Sequence, residues 1–289
     1  MWQIQETQAK SILSRTSGFI KQAGFTHSLS PSRNCTYGCT YCYVPTMGIY
    51  GGLHPGDAHH WGEFTVMKSN AGELLRRSLA GNQAIYCSPL VDPYQPAERE
   101  RPLMPSVLRA ILERPPQVFT LQTRGPLILR DLPILREVAT VTIMRISFSL
   151  TTDRDDVRRR YEPHCEPNSE RVKAIETLTA NGLEVYATLA PLLPCHPELL
   201  ARLGLDATGR DLIGDPLHER STKPRGATTR SAAVRIARHF GEEEWFEPNF
   251  QNVVVRRIGE VAEQYGRRFR IGPEGFGVLA QACDRASES

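Results

Sequence analysis

The sequence lacks a long hydrophobic run, and this absence argues against a membrane-spanning helix. The most apolar stretch, residues 183–194, is shorter than the roughly 18 apolar residues that a span needs, and it contains Glu184. The first ten residues, MWQIQETQAK, are polar and lack the apolar segment of a signal peptide. We therefore expect a cytoplasmic protein that has no contact with a membrane.

A strong excess of charge of one sign is also lacking. The 289 residues include 35 Lys and Arg against 32 Asp and Glu, so the formal net charge is +3. This balance neither demands nor excludes a nucleic-acid partner. Hydrophobic residues make up 40% of the chain, which excludes wholesale disorder and allows a buried core without disulfide bonds.

Internal repeats and low-complexity segments are absent from the sequence, and short apolar runs alternate with helical patterns instead. The predicted strands are 25–29, 84–87, 117–123, 141–150 and 183–189, with a sixth near 211–214. The predicted helices lie near 71–80, 104–113, 126–138, 169–180 and 197–203. This alternation predicts an α/β fold. We expect a partial TIM barrel of the (β/α)6 type, with a parallel sheet and outer helices.

Three regions are predicted along the chain. Residues 1–24 form a polar N-terminal lead-in, residues 25–215 hold the partial barrel, and residues 216–289 form a C-terminal extension. Residues 206–230 have the composition of a loop, and helices are predicted near 229–240 and 250–265. The extension is therefore expected to be helical.

Seven cysteines are present, and three of them, Cys35, Cys39 and Cys42, crowd into eight residues. Their C-x3-C-x2-C spacing follows the first predicted strand, and Gly38 lets the loop turn sharply. An odd, crowded set argues against an oxidised, secreted scaffold and favours metal or cluster ligation in a reducing compartment. Three ligands leave one position open, either on a catalytic metal ion or on one iron of a [4Fe–4S] cluster.

A zinc site is the alternative interpretation of the same triplet. One of four nearby histidines could complete it: His27, His54, His59 or His60. The protein would then be a non-enzymatic, zinc-binding nucleic-acid module. Zinc sites usually show two paired half-sites, however, and this sequence has a single uneven triplet.

The pattern C-x3-C-x-aromatic-C after the first strand, with Tyr41 as the aromatic residue, resembles the radical S-adenosylmethionine (SAM) superfamily. Five further segments resemble its spore photoproduct lyase-like branch, often labelled DNA repair photolyase: 66–76, 92–99, 121–125, 145–149 and 184–191. The resemblance implies that the three cysteines hold a [4Fe–4S] cluster and that SAM binds its open iron. Reductive cleavage of SAM would give a radical that abstracts hydrogen from a substrate, with the electron supplied by an external flavodoxin- or ferredoxin-like donor.

The resemblance also implies cofactor contacts for three residues. Tyr41 matches the aromatic residue that packs beside the cluster and SAM. Arg124 stands where the family usually has Lys, and it is expected to contact the SAM carboxylate. Ser147 matches a polar position that faces SAM. The ordinary alternatives are that Arg124 caps a carbonyl and that Ser147 points between helix and sheet.

Two catalytic roles follow from the same resemblance. Cys87 ends the second strand, where the lyase has the cysteine that returns a hydrogen atom to the product radical. Tyr43 matches a tyrosine that assists radical transfer. The alternative for Cys87 is a buried small hydrophobic residue, which is the commonest role of a free cysteine.

Two departures separate the chain from the lyase pattern. Thr40 stands where that pattern has His, and the substrate-binding hairpin of the lyase is not recognisable in the C-terminal quarter. Repair of nucleic-acid lesions is therefore one candidate reaction, and DNA, RNA, a peptide and a small metabolite all remain candidate substrates.

The stretch 220–238 is the best candidate for a phosphate-binding surface. It contains six basic residues and no acidic one: Arg220, Lys223, Arg225, Arg230, Arg235 and Arg238. It has little aromatic interleaving, so stacking on single-stranded bases is poorly supported. A nucleic-acid partner is the expectation that this stretch raises.

Overall fold

The structure, a computed structural model, describes residues 2–219 and 229–282. Its strands are β1 (Gln3–Thr7), β2 (Leu13–Arg15), β3 (His27–Leu29), β4 (Ser32–Arg33), β5 (Phe64–Lys68), β6 (Ala84–Cys87), β7 (Val118–Thr123), β8 (Ile143–Ser149), β9 (Glu184–Leu192), β10 (Leu212–Pro216) and β11 (Phe269–Ile271).

The helices are numbered in the same way. They are α1 (Gly18–Gln22), α2 (Val44–Met47), α3 (Ala71–Ser78), α4 (Met104–Glu113), α5 (Leu132–Val141), α6 (Asp155–Tyr161), α7 (Asn168–Ala180), α8 (Pro197–Thr208), α9 (Ser231–Phe240), α10 (Pro248–Gln264) and α11 (Gly272–Gly277). Among the described residues, no helix has the length and apolar character needed to cross a membrane.

The main sheet has eight strands in the spatial order β11-β10-β9-β8-β7-β6-β3-β2. Neighbours from β3 to β11 run parallel, and β2 is antiparallel to β3. Within the described chain, β2 and β11 lie at opposite edges of this sheet, so the barrel is open. This topology confirms the predicted α/β partial barrel, and it brings the carboxyl ends of the parallel strands to one edge.

Successive side chains along each strand point to opposite faces of the main sheet, and they form two apolar layers. On β6, Ile85 belongs to the layer between the sheet and the outer helices, whereas Tyr86 belongs to the layer on the other face. The inner layer also contains Phe25, Tyr186 and Phe276, so the C-terminal α11 helps to close it. The extension therefore contributes to the barrel core.

The predicted helix at 126–138 is wrong in its bounds. A short 3-10 helix covers Pro126–Asp131, and α5 begins at Leu132 and continues to Val141. Pro133 is tolerated at the second position of a helix, where its missing N–H costs nothing, but not in a helix interior. The helix therefore starts later than predicted, and the strand predicted from Val141 begins at Ile143.

A second, three-stranded sheet in the order β1-β5-β4 was not predicted. Strand β1 lies in the lead-in and pairs in parallel with β5, with Gln3 opposite Phe64. Its residues are polar and mostly exposed, so they carry no alternating apolar signal. The proposed boundaries at residues 24 and 215 stay a prediction.

Replacing Gly204 with Ala is expected to lower the free energy of unfolding by about 1–3 kcal/mol. A Cβ there would lie 2.8 Å from Leu212 Cδ2 and 2.9 Å from Ala187 Cβ, between α8 and the sheet. The matched control is Gly259→Ala inside α10, where a Cβ has no neighbour within 4 Å. That change should stabilise the protein through helix propensity alone. Urea unfolding should show changes of opposite sign in the free energy of unfolding of the two variants. Equal changes in both would contradict the described packing.

Candidate active site

The cysteine triplet lies in the loop that follows β4, beyond the carboxyl end of β3 and at the carboxyl edge of the main sheet. Asn34 adopts a left-handed conformation with φ of 58° and accepts a hydrogen bond from the Cys35 N–H at 2.9 Å. Gly38 packs directly on Gly62, where a Cβ would stand 2.8 Å from the Gly38 Cα. The loop thus folds back on the segment before β5, and a side chain at Gly62 would push the two apart.

The three cysteines are free thiols in a largely dry site. Cys35 and Cys39 are buried and Cys42 is half-buried. Burial raises the pKa of Cys35, and it raises the pKa of Cys42 to about 12. Two effects lower the pKa of Cys39: a hydrogen bond from the Cys165 side chain and the positive charge of Arg124. Burial acts in the opposite direction. Three sulfur ligands shielded from water on one turn fit a cluster whose positive iron ions compensate the thiolates.

The zinc alternative gains no support from the ligand geometry. Across residues 2–219 and 229–282, no three His, Cys, Asp or Glu side chains are grouped closely enough to hold one metal ion. His54, His59 and His60 are exposed on the loop before β5. Ligands of a four-iron cluster bind at separate corners and therefore stand further apart than ligands of a single ion.

Tyr41 and Arg124, the two predicted cofactor contacts, meet at a buried carboxylate. The Tyr41 hydroxyl donates to Glu162 Oε1 at 2.5 Å, and Arg124 Nη1 lies 2.5 Å from the same oxygen. Arg124 Nη1 also donates to the Tyr41 hydroxyl, so the three groups form a closed triangle. The guanidinium carbon lies 5.8 Å from the centre of the Tyr41 ring.

Glu162 is completely buried and has two further donors. The Thr151 hydroxyl donates to Oε1 at 2.8 Å, and Arg171 Nη1 donates to Oε2 at 2.6 Å. Burial opposes the charge, but Arg171 and Arg124 outweigh it and hold the pKa of Glu162 at about 2. The carboxylate is therefore ionised at neutral pH, and it links the cysteine loop, the end of β7 and helix α7.

Residues 161–166, here called the bracing segment, lie along residues 37–41 of the cysteine loop. The Thr40 N–H donates to the Tyr161 carbonyl at 2.9 Å, and the Tyr37 hydroxyl donates to Glu166 at 3.2 Å. His164 packs on Gly38, where a Cβ would lie 3.3 Å from His164 Cδ2. Together with the Cys165–Cys39 and Glu162–Tyr41 contacts, these bonds fix the loop over five consecutive residues.

Asp92 holds Arg124 from the opposite side. Its carboxylate accepts the Arg124 backbone N–H at 2.8 Å and the Thr123 hydroxyl at 2.7 Å, and Arg124 Nε lies 3.9 Å away. The Asp92 backbone N–H also bonds the Cys35 sulfur. Burial raises the pKa of Asp92, and Arg124 counteracts this rise. Asp92 therefore links the end of β7 to the first cysteine.

Ser147 lies on the inner face of β8 and is completely buried. Its hydroxyl lies 2.6 Å from the Thr188 hydroxyl on β9, and it also bonds the Tyr86 hydroxyl. It therefore does not point between helix and sheet. Ser147 is one of a group of hydroxyls inside the barrel.

Cys87 and Tyr43 occupy different layers. Cys87 is completely buried in the layer facing the outer helices, in register with Leu29 and Leu121. Burial and then Asp92 raise the pKa of the Cys87 thiol, so it keeps its proton at neutral pH. The Tyr43 hydroxyl donates to the Pro89 carbonyl at 2.6 Å, which places it against the loop that follows Cys87.

Glu162, Arg171 and Cys165 were missed by the sequence reasoning. The run of mixed charge at residues 153–160 has the sequence pattern of a solvated helix. Arg158 in α6 is nevertheless buried and donates to the Cys165 carbonyl at 2.6 Å. Position in the sequence was the available signal for a functional role of Glu162. This residue follows the fourth predicted strand, just as Cys35 follows the first. Without the tertiary structure, that position does not separate one acid from its charged neighbours.

The family is decided by one comparison. The model of the radical SAM superfamily matches residues 29–198, which is more than half of the chain. This chain belongs to the radical SAM superfamily. Membership implies an enzyme that uses SAM and an iron–sulfur cluster, and it replaces the alternative of a non-enzymatic zinc module.

Three curated relatives are themselves described as uncharacterised proteins. One from Methanocaldococcus jannaschii is 26% identical over 160 residues, covering 55% of this chain and 58% of the relative. One from Mycobacterium tuberculosis is 28% identical over 174 residues, covering 59% and 50%, respectively. One from Acidianus two-tailed virus is 26% identical over 208 residues, covering 64% and 65%. The matched part of this chain spans between half and two thirds of the length of each of these relatives.

Two solved structures of spore photoproduct lyase variants share the fold. A cysteine-to-serine variant has a TM-score of 0.62 at 13% identity, covering 93% of this chain and 81% of that chain. A variant with bound AdoMet and dinucleoside spore photoproduct has a TM-score of 0.60 at 12% identity, with the same coverage. At this identity the likeness concerns the fold.

The described part of the basic stretch lies next to the cysteine loop. Arg230 precedes α9 and is half-buried, and its backbone N–H donates to the Tyr41 carbonyl at 3.3 Å. Arg235 and Arg238 are exposed on α9. The other three basic residues, Arg220, Lys223 and Arg225, lie outside the described residues.

Replacing Glu162 with Gln should lower the free energy of unfolding by roughly 3 kcal/mol at pH 7, the value of a carboxyl pKa lowered from 4.5 to about 2. The folded-state pKa is depressed, so the contribution is complete above about pH 4.5 and is lost as the pH falls toward 2. Urea unfolding of both proteins between pH 7 and pH 3 should therefore show the difference shrinking with acid.

The control for this measurement is Glu170→Gln, which changes an exposed carboxylate on α7. It should leave the free energy of unfolding within about 0.5 kcal/mol of the wild type. Equal stability of the Glu162→Gln variant and the wild type at pH 7 would contradict the assigned ion pairs.

Proposed function

We propose that this radical SAM enzyme binds a [4Fe–4S] cluster through Cys35, Cys39 and Cys42 and binds SAM beside Tyr41 and Arg124. The observation that carries the proposal is the placement of three shielded thiols on one loop, against an arginine anchored at the end of β7. The bound cluster and SAM together supply reductive carbon–sulfur cleavage and a carbon radical that takes hydrogen from a substrate.

The residues of the chain would divide the remaining work. The thiolates bind three irons, and the Arg124 guanidinium binds the SAM carboxylate through a donor that Glu162 does not occupy. Tyr41 packs at the same place, and Ser147 contributes a polar group on the inner face of β8. Burial of the loop keeps water away from a radical reaction.

Cys87 and Tyr43 are proposed as the hydrogen-transfer pair. A hydrogen-atom donor must be a protonated thiol, and the raised pKa of Cys87 supports that state. Tyr43 follows the third ligand directly and touches the loop after Cys87 through the Pro89 carbonyl. Cys87 is completely buried in the layer that faces the outer helices, so this role requires its thiol to turn toward the barrel interior when a substrate binds at the end of β6.

Nucleic acid is the proposed substrate class, and lesion repair of the spore photoproduct lyase type is the proposed reaction. Support comes from the shared fold with spore photoproduct lyase, one structure of which contains the dinucleoside spore photoproduct. Further support comes from Arg230, whose N–H bonds the cysteine loop, and from Arg235 and Arg238, which are exposed on the helix that follows it. A flavodoxin- or ferredoxin-like protein is the proposed electron donor, and the cytoplasm is the proposed compartment.

Anaerobic reconstitution with iron and sulfide, followed by dithionite and SAM, should yield 5′-deoxyadenosine from the wild type. Ala at Cys35, Cys39 or Cys42 should abolish that product, because each variant loses a cluster ligand. Cys195→Ala is the matched control, since Cys195 is also a buried free thiol but lies outside the cysteine loop. Retained SAM cleavage in a triplet variant, or tightly bound zinc without sulfide in the wild type, would refute the proposal.

The hydrogen-transfer pair is tested with DNA that carries the spore photoproduct. The wild type should convert the lesion to thymines, whereas Cys87→Ala should cleave SAM yet reduce clean repair at least about tenfold. Tyr43→Phe should show a similar, smaller defect. Failure of the wild type on this substrate would exclude lesion repair while leaving the radical SAM activity intact, and full repair by Cys87→Ala would assign that thiol to packing.

A further inference from the structure

We propose that Glu162 is a positioning residue of the SAM site, which fixes Arg124 and Tyr41 in the orientation that binds SAM. This inference rests on the proposed function, because it assigns the SAM contact to those two side chains. It adds a residue outside the cysteine motif, contributed by the bracing segment. It also gives that segment, residues 161–166, a role in cofactor affinity.

Four separate chain segments donate hydrogen bonds to Glu162. Its Oε1 accepts from Tyr41 in the cysteine loop, from Arg124 after β7 and from Thr151 after β8. Its Oε2 accepts from Arg171 in α7. Because the carboxylate is completely buried, each of these donors is needed to offset the loss of water. The position of one atom, Oε1, is therefore set from three directions.

Arg124 is held both at its side chain and at its backbone. Both of its side-chain hydrogen bonds at this point, to Glu162 and to the Tyr41 hydroxyl, use Nη1. Its backbone N–H is held by Asp92 at 2.8 Å. A planar guanidinium that is held at the backbone and at Nη1 has little rotational freedom left, and its other N–H donors point along the remaining arms of the fork. Glu162 thus sets the direction in which Arg124 presents those donors.

Position 124 holds an arginine rather than a lysine, and this difference matters for two simultaneous contacts. A guanidinium can bind two carboxylates at once through different nitrogens, whereas an ammonium presents all of its donors on a single atom. At position 124, an arginine can keep Glu162 on Nη1 and still offer a separate nitrogen to the carboxylate of SAM. The Glu162–Arg124 pair therefore gives the presence of an arginine at this position a physical reason.

A merely structural role is the competing explanation, and the molecule contains a matched control for it. At the other end of the same sheet, Glu184 accepts from Arg145 Nε at 3.0 Å and from the Tyr186 hydroxyl at 2.8 Å. This trio has the same three residue types as Glu162, Arg124 and Tyr41. Glu184 begins β9, however, so it lies at the amino edge, away from the cysteine loop.

The experiment compares Glu162→Gln, Glu162→Asp and Glu184→Gln with the wild type after anaerobic reconstitution. Iron and sulfide content is measured first, and the dissociation constant of SAM is then measured by equilibrium dialysis with the oxidised cluster, so that no turnover occurs. The change in the EPR signal of the reduced cluster on adding SAM gives a second readout. The probe throughout is SAM itself.

We expect Glu162→Gln to keep its cluster and to raise the dissociation constant of SAM at least about tenfold, the value of one charge-assisted hydrogen bond. Glu162→Asp should recover part of the affinity, because it restores the negative charge. The dissociation constant of SAM for Glu184→Gln should stay within about twofold of the wild-type value, whatever this change does to the melting temperature. Loss of the SAM-induced EPR change should accompany the weaker binding.

Unchanged SAM affinity in a cluster-loaded Glu162→Gln protein would overturn the inference, and so would an equal loss in Glu184→Gln. If Glu162→Gln does not fold, Thr151→Val removes a single donor to the same oxygen, and it should raise the dissociation constant by about threefold. A wild type that takes up no cluster, or that carries a cluster without binding SAM, would instead refute the proposed function, and this inference with it.

Discussion

The buried carboxylate of Glu162 between Arg124 and Arg171 is the interaction on which the rest of the site depends. A charge without water is tolerated only where opposite charges and hydrogen bonds replace the solvent, and here the donors come from four separate segments of the chain. None of those segments can shift without exposing an unpaired charge. The fold thereby fixes the spacing between the cysteine loop and the strand ends of β7 and β8.

The cysteine loop itself has few means of holding its shape. It contains a left-handed Asn34 and a glycine contact between Gly38 and Gly62, and its three thiols are shielded from water. Burial favours the neutral thiol at Cys35 and Cys42, so a positive partner such as bound iron ions would be needed to hold both as thiolates. The bracing segment supplies the missing rigidity from outside, through bonds to Tyr37, Thr40 and Tyr41. Cluster ligands and braces thus come from distant parts of the sequence.

This division explains how much could be predicted from the sequence. The barrel strands carry short apolar runs and the triplet has a fixed spacing, so both are local patterns that survive without tertiary information. Helix α5 begins later than predicted because Pro133 is tolerated near the start of a helix but not in its interior. Strand β1 and Glu162 were missed because their signals are not local. An exposed polar strand shows no alternation, and an acid within a charged run is identified as buried only once α6 and α7 are packed.

The C-terminal extension is hydrogen-bonded to the cysteine loop, and this contact bears on how a substrate would be recognised. The Arg230 N–H bonds the Tyr41 carbonyl, while the Tyr41 side chain bonds Glu162. A single residue therefore joins the start of α9 to the buried carboxylate. Any ligand that displaces Arg230 would act on the same loop that presents Cys42. Tyr41 is thus the residue through which a displacement at the start of α9 would reach the Arg124–Glu162 pair.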